Sequence, residues 1–179
     1  MNAQNNSIKG TILIVDDNPV NLNLLSEILS NAGYKVRAAL NGRVAIKSAD
    51  LTLPDLILLD VLMPQMNGYQ VCEKLKASSV TQDIPIIFIS ALNEGVDKAK
   101  AFTVGGVDYI TKPFQTEEVL ARVENQLRII TLSKQLLEQT TRLEQEMEER
   151  QRVQKALQAS EMQLQIALQR LGERVVKPE

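Results

Sequence analysis

The chain has 179 residues, 44% hydrophobic and 23% charged, with a formal net charge of −2. That is enough for one well-cored domain plus a further element, without the basic excess that direct nucleic-acid binding needs. There is no histidine, and Cys72 is the single cysteine, which excludes an intramolecular disulfide, imidazole or multi-thiolate zinc ligation, and Ser-His or Cys-His catalysis.

The opening residues, MNAQNNSIKG, are polar and lack the apolar centre of a signal peptide, so residues 1–10 read as a disordered lead-in. With no run of about 18 apolar residues, no membrane-spanning helix is predicted, and the expected compartment is the cytoplasm. Short apolar runs then alternate with helical patterns. TILIVD (11–16), KVRAA (35–39), DLILLD (55–60), PIIFIS (85–90) and VDYIT (107–111) read as strands. The middle runs are apolar on successive residues, as in strands covered on both faces of a parallel sheet. Between the strands, NLNLLSEILSNAG, GRVAIKSAD, NGYQVCEKLKASS and NEGVDKAKAFTVGG carry helical spacing, with Gly33 and Gly105 where helix C-caps belong. Asn18 and Pro19 start the first of these helices. Five strands joined by crossover helices predict a doubly wound α/β fold over residues 11–128.

From Phe114 to Leu171 there is neither Gly nor Pro, and every aromatic residue lies at or before Phe114. The last helix, capped near Thr116 with Glu117 and Glu118 at its positive end, therefore runs on to Gly172 and leaves a tail over 173–179. At 1.5 Å per residue it would reach roughly 80 Å. A lone helix of that length buries no apolar stripe and needs a partner. Ile129, Leu136, Leu143, Arg150, Leu157, Leu164 and Leu171 recur every seven residues and read as d positions. The matching a positions, Ser133, Thr140, Met147, Gln154, Glu161, Leu168 and Val175, are apolar in only three cases, so the register weakens or shifts around Arg150 to Glu161. From residue 131 onward eight Lys/Arg face eight Glu, a balance that suits a solvated coiled-coil surface over 129–172 and argues against a nucleic-acid arm. A parallel homodimer is the arrangement expected ahead of an intramolecular or antiparallel one.

In a doubly wound sheet, ligands bind beyond the carboxyl ends of the strands. Collected there are Asp16 and Asp17 after the first strand, Asp60 after the third, Ser90 after the fourth and Lys112 after the fifth. Any one of them could merely cap a helix, but all five together point to a site. Two carboxylates about 5 Å apart repel by about 3 kcal/mol at an effective dielectric of about 20, so the cluster needs a cation. Oxygen donors without His or Cys select Mg²⁺ or Mn²⁺. A carboxylate beside such an ion and a lysine is placed to attack phosphorus.

Those residues lie in ILIVDDN, LILLDVLMPQMNGY, PIIFISA and DYITKPF, and in this order they closely resemble the receiver domain of two-component response regulators. The resemblance covers about two-thirds of the chain and implies a flavodoxin-like sheet in the order 2-1-3-4-5. It implies Asp60 as phosphoacceptor, Asp17 as a direct Mg²⁺ ligand, Asp16 acting through metal-bound water, and the Leu62 carbonyl completing the protein ligands. Lys112 would pair with Asp60 and then the phosphoryl group, Ser90 would bond a phosphoryl oxygen beside the small Ala91, and Tyr109 would be the switch aromatic. A cis bond before Pro113 is implied as well, aiming Lys112 inward. Leu62 and Leu92, two residues past Asp60 and Ser90, cannot orient a hydrolytic water, so a slowly hydrolysing acyl phosphate is expected. Met63, Pro64 and Met66 read as a packed loop rather than a thioether docking patch, and Cys72 as a small core residue.

The function expected is thus a response regulator that takes a phosphoryl group on Asp60 from a histidine kinase or phosphotransfer protein. It would have no other enzymatic activity and would signal through a dimeric coiled coil to an output domain absent from this chain. The alternative is a constitutive dimerisation or scaffold module whose helix ignores phosphorylation. A Mg²⁺ phosphatase lacks a second acid–base carboxylate here, and a flavin phosphate would be repelled by the acidic loop after the first strand.

Overall fold

The computed structural model describes residues 8–91 and 98–175. The first seven positions of the expected lead-in, Leu92 with the start of the fourth helical stretch, and the last four residues of the tail lie outside the described residues. Lys9 and Gly10 are tied to the domain: the Lys9 amide donates to the Gly33 carbonyl at 3.1 Å, and the Lys35 amide to that of Gly10 at 2.9 Å.

The strands are β1 (Thr11–Val15), β2 (Lys35–Ala39), β3 (Leu56–Asp60), β4 (Ile86–Ala91) and β5 (Asp108–Lys112). They form one parallel sheet in the order β2-β1-β3-β4-β5, the doubly wound fold that the alternation of strands and helices predicts, in the flavodoxin-like order that the resemblance implies. The helices are α1 (Pro19–Asn31), α2 (Gly42–Thr52), α3 (Gly68–Ala77), α4 (Lys98–Thr103) and α5 (Thr116–Val175). Asn18, Asn41 and Asn67 cap the first three, each side-chain oxygen accepting from a backbone amide of the first turn; this satisfies donors that the helix itself cannot. Gly33 and Gly105 take positive φ values of 93° and 101°, as the expected C-cap positions require.

Successive strand residues point to opposite faces, and each face has its own core. Ile12, Ile14, Leu56, Leu58, Ile87 and Ile89 pack under α1 and the start of α5, against Leu22, Leu25, Leu29, Val119 and Val123. Leu13, Val15, Ile57, Leu59, Ile86 and Phe88 pack under α2 and α3, against Ala45, Ala49, Val71, Cys72 and Leu75. This is why the central strands are apolar on successive residues up to their carboxyl ends: all five residues of β3 are buried, Asp60 included. Burying each large aliphatic side chain contributes about 1.5–3 kcal/mol, so the sheet centre is the most firmly held part of the domain. Cys72 is a packed core residue whose thiol donates to the Val104 carbonyl at 3.2 Å, and burial pushes it up to about 11. Met63 is buried in the same core, with Met66 packed against it, as a packed loop requires.

The chain divides into two compact units, residues 1–130 and 131–179. In the second, α5 passes through Gly172 to Val175; one glycine costs a helix only about 1 kcal/mol relative to alanine. The apolar side chains of the heptad line there, among them Leu136, Leu143, Leu157 and Leu164, are exposed. The flanking charges form i,i+4 pairs, Arg142 with Glu146 at 3.4 Å and Arg152 with Glu148 at 3.9 Å. Among the described residues, no helix is long and apolar enough to cross a membrane.

Candidate functional site

The carboxyl ends of β1, β3, β4 and β5 bring the expected residues together. Asp16 and Asp17 follow Val15 directly, Asp60 closes β3, Ser90 lies in β4, and Lys112 is the last residue of β5. One carboxylate oxygen from each of Asp16, Asp17 and Asp60 lies within 4.8 Å of the others. Asp17 is exposed, whereas Asp16 is 0% and Asp60 4% exposed. The Lys112 ammonium bridges the two buried carboxylates, 2.8 Å from Asp16 Oδ2 and 2.9 Å from Asp60 Oδ2. The pairing with Asp16 is an addition to the expected pairing with Asp60. The Lys112–Pro113 peptide is cis.

Burial pushes the Asp60 carboxyl up to about 6; hydrogen bonding to Lys112 and its charge oppose this, the charge of Asp16 adds to it, and the Leu62 amide, 3.4 Å from Oδ1, opposes it weakly. For Lys112, burial favours the neutral amine, yet the hydrogen bonds and charges of Asp16 and Asp60 outweigh it and hold the ammonium above its ordinary range. Two buried carboxylates with one ammonium leave a net negative charge, with exposed Asp17 at its edge. Such an all-oxygen donor set, open on the Asp17 side, fits a hard divalent cation.

Ser90 is 3% exposed and pairs in register with Thr111, next to Ile89, which pairs with Asp60. Tyr109 is half-buried beside β4, paired in register with Phe88. Its ring meets the edge of Phe102 at 6.4 Å and 80°. The Arg122 guanidinium lies 5.5 Å from the ring centre and is itself held by Asp108 at 2.7 Å and Glu118 at 2.9 Å. Leu62 is exposed on the loop after β3.

Three contributors escape a reading of motifs. Asn21, in the first turn of α1, donates to both oxygens of Asp16, at 3.1 and 3.0 Å. Gly68 opens α3 against the end of β3; a Cβ there would stand 2.3 Å from the Asp60 carbonyl oxygen, so the close approach requires glycine. Its presence in NGY after the LMPQM loop was the available signal. Arg122 against Tyr109 depends on a contact between α5 and β5 that no local pattern reveals.

Residues 12–124 match the family model of the response regulator receiver domain, so the chain belongs to that family. It is 44% identical over 117 residues to the DNA-binding dual master transcriptional regulator RpaA of Synechocystis sp. (strain ATCC 27184 / PCC 6803 / Kazusa), the match covering 65% of this chain and 48% of RpaA. The solved receiver domain of a signal transduction histidine kinase from Syntrophus aciditrophicus is 39% identical, with a TM-score of 0.62, over 66% of this chain and 90% of that one. The receiver domain of a sensor histidine kinase from Pseudomonas aeruginosa PAO1, solved with a magnesium ion coordinated in its active-site cleft, is 30% identical. Its TM-score is also 0.62, over 66% of this chain and 97% of that one. The chain spans about half the length of the first curated relatives it matches, or less.

Proposed function

We propose that this protein accepts a phosphoryl group on Asp60 in a Mg²⁺-dependent reaction, from a histidine kinase or phosphotransfer protein. The observation that carries the reading is the Lys112 ammonium bridging buried Asp16 and Asp60 beside exposed Asp17. Asp17 and Asp60 would hold the ion directly, with the Leu62 carbonyl, while Asp16 acts through bound water. When bound, Mg²⁺ neutralises charge on the phosphoryl oxygens. An Asp60 oxygen attacks phosphorus as the donor P–N bond breaks, giving an acyl phosphate, and the departing imidazole retains the electron pair. Lys112 then moves its hydrogen bond from the Asp60 carboxylate to a phosphoryl oxygen. Ser90 donates its hydroxyl to another, and Tyr109 follows into the space that Ser90 vacates. A magnesium ion in the cleft of the Pseudomonas relative supports the choice of metal.

In this reading phosphate biases a two-state domain, and the signal leaves through a parallel dimer of the C-terminal helix toward an output domain. The exposed heptad line supports the dimer. Acetyl phosphate with Mg²⁺ should label the wild type and leave Asp60→Asn unlabelled; labelling of the variant would overturn the assignment. A constitutive scaffold is distinguished by sedimentation with and without beryllofluoride: an unchanged mass and unchanged cross-linking along the helix would favour it.

A further inference from the structure

Asp16 is the most completely enclosed polar side chain of the site. A carboxylate offers about four lone-pair positions, and four donor contacts converge on this one. The Asn18 amide donates to Oδ1 at 2.8 Å, Asn21 Nδ2 to Oδ1 at 3.1 Å and to Oδ2 at 3.0 Å, and Lys112 Nζ to Oδ2 at 2.8 Å. Two of the four come from a single amide five residues along the chain. The Asn18 amide holds Oδ1 and the flexible Lys112 holds Oδ2, whereas the Asn21 amide bonds both oxygens from one short side chain in the first turn of α1 and so adds a rigid hold on the carboxylate plane.

We propose that Asn21 is a positioning residue of the phosphoacceptor site: it fixes the Asp16 carboxylate plane and thereby sets how Lys112 is shared between Asp16 and Asp60. Asp16 is fully buried with Asn21 in place, so an apolar side chain of similar size at position 21 keeps solvent out and leaves the lost bonds unreplaced. The carboxylate then turns onto its strongest remaining donor, Lys112, and draws the ammonium away from Asp60 Oδ2, where it now sits at 2.9 Å. Asp16 would also leave the orientation from which it would accept from a water on a bound ion. Residues that orient metal-site ligands in this way typically govern metal affinity by a factor of about 10–100.

The inference rests on the phosphoacceptor reading above, and its failure is separable. Asn21 is only half-buried, so Asn21→Ala and the similarly sized, donor-free Asn21→Leu test the bonds apart from the packing. Mn²⁺ binding is followed by the electron paramagnetic resonance of the free ion, folding by thermal unfolding in EDTA, and chemistry by acetyl phosphate labelling across a Mg²⁺ titration. Both variants should bind Mn²⁺ about tenfold more weakly than wild type, with labelling that recovers toward the wild-type rate as Mg²⁺ is raised. Mn²⁺ affinity within twofold of wild type in Asn21→Leu, which fills the space and admits no water, overturns the proposal. Should both variants fail to fold, the wild type still decides: the Asn21 side-chain amide resonances must move on adding Mg²⁺, and unmoved resonances overturn it. A wild type that neither binds Mn²⁺ nor takes label refutes the phosphoacceptor reading itself, whereas a competent wild type with indifferent variants refutes only the role of Asn21.

Discussion

Asp60 gives the metal-free protein a measurable dependence of stability on pH. Its carboxyl is raised from the ordinary 3.8 to about 6, first by burial and then by Asp16, against the opposing pull of Lys112. Between these values the folded chain binds the proton and the unfolded chain has already lost it. The folded state therefore holds more protons, and stability must fall as pH rises through this window and level off above it. At roughly 1.4 kcal/mol per pH unit, ionised Asp60 costs the fold about 3 kcal/mol at the upper plateau, of which about 2 kcal/mol develops between pH ~4.5 and ~8. Urea unfolding in EDTA, run on wild type and Asp60→Asn across that range, isolates the effect, because the other titrating groups contribute to both. The difference between the curves should move by about 2 kcal/mol in favour of the variant as pH rises. Mg²⁺ at a hundredfold excess over its dissociation constant should restore about 2.7 kcal/mol to the wild type, and much less to the variant. Parallel curves in EDTA would refute the picture of a buried carboxylate held at a cost until a cation arrives.

Gly68→Ala should destabilise the domain by about 1–3 kcal/mol in urea, because the new Cβ meets the Asp60 carbonyl oxygen and the Val61 Cα, both backbone; it should also weaken Mn²⁺ binding by displacing the end of β3. Replacing Leu136 and Leu143 together with Gln should raise the dissociation constant of the proposed dimer more than tenfold in sedimentation equilibrium, as expected for losing roughly 2 kcal/mol or more of packing; an unchanged mass would refute the proposed heptad contact. The acyl phosphate should persist for minutes or longer after removal of the donor, since Leu62, exposed beside Asp60, offers no group to orient water; loss within seconds would refute that.

The strands were legible because a strand buried on both faces must be apolar at successive positions, and DLILLD and PIIFIS are. The long helix was legible because nothing between Phe114 and Leu171 can break one. The site residues were legible as a set because parallel strands deliver their carboxyl ends to one edge, so polar residues that end separate runs must meet there. How those residues are wired was not. Asp16 and Lys112 are 96 positions apart, and only the folded sheet shows one ammonium serving two carboxylates. Arg122 over Tyr109 depends in the same way on where α5 settles against β5.

By itself, then, the sequence determined the doubly wound topology, the strands to within a residue at their ends, and the hard-oxygen character of the site, because periodicity and residue chemistry are local properties of the chain. Tertiary structure decided the burial of Asp16 and Asp60 and the sharing of Lys112 between them, which leaves Asp16 enclosed and its neighbour Asp17 exposed. Burial and hydrogen-bond partnership belong to the environment, and the environment exists only once distant segments have packed.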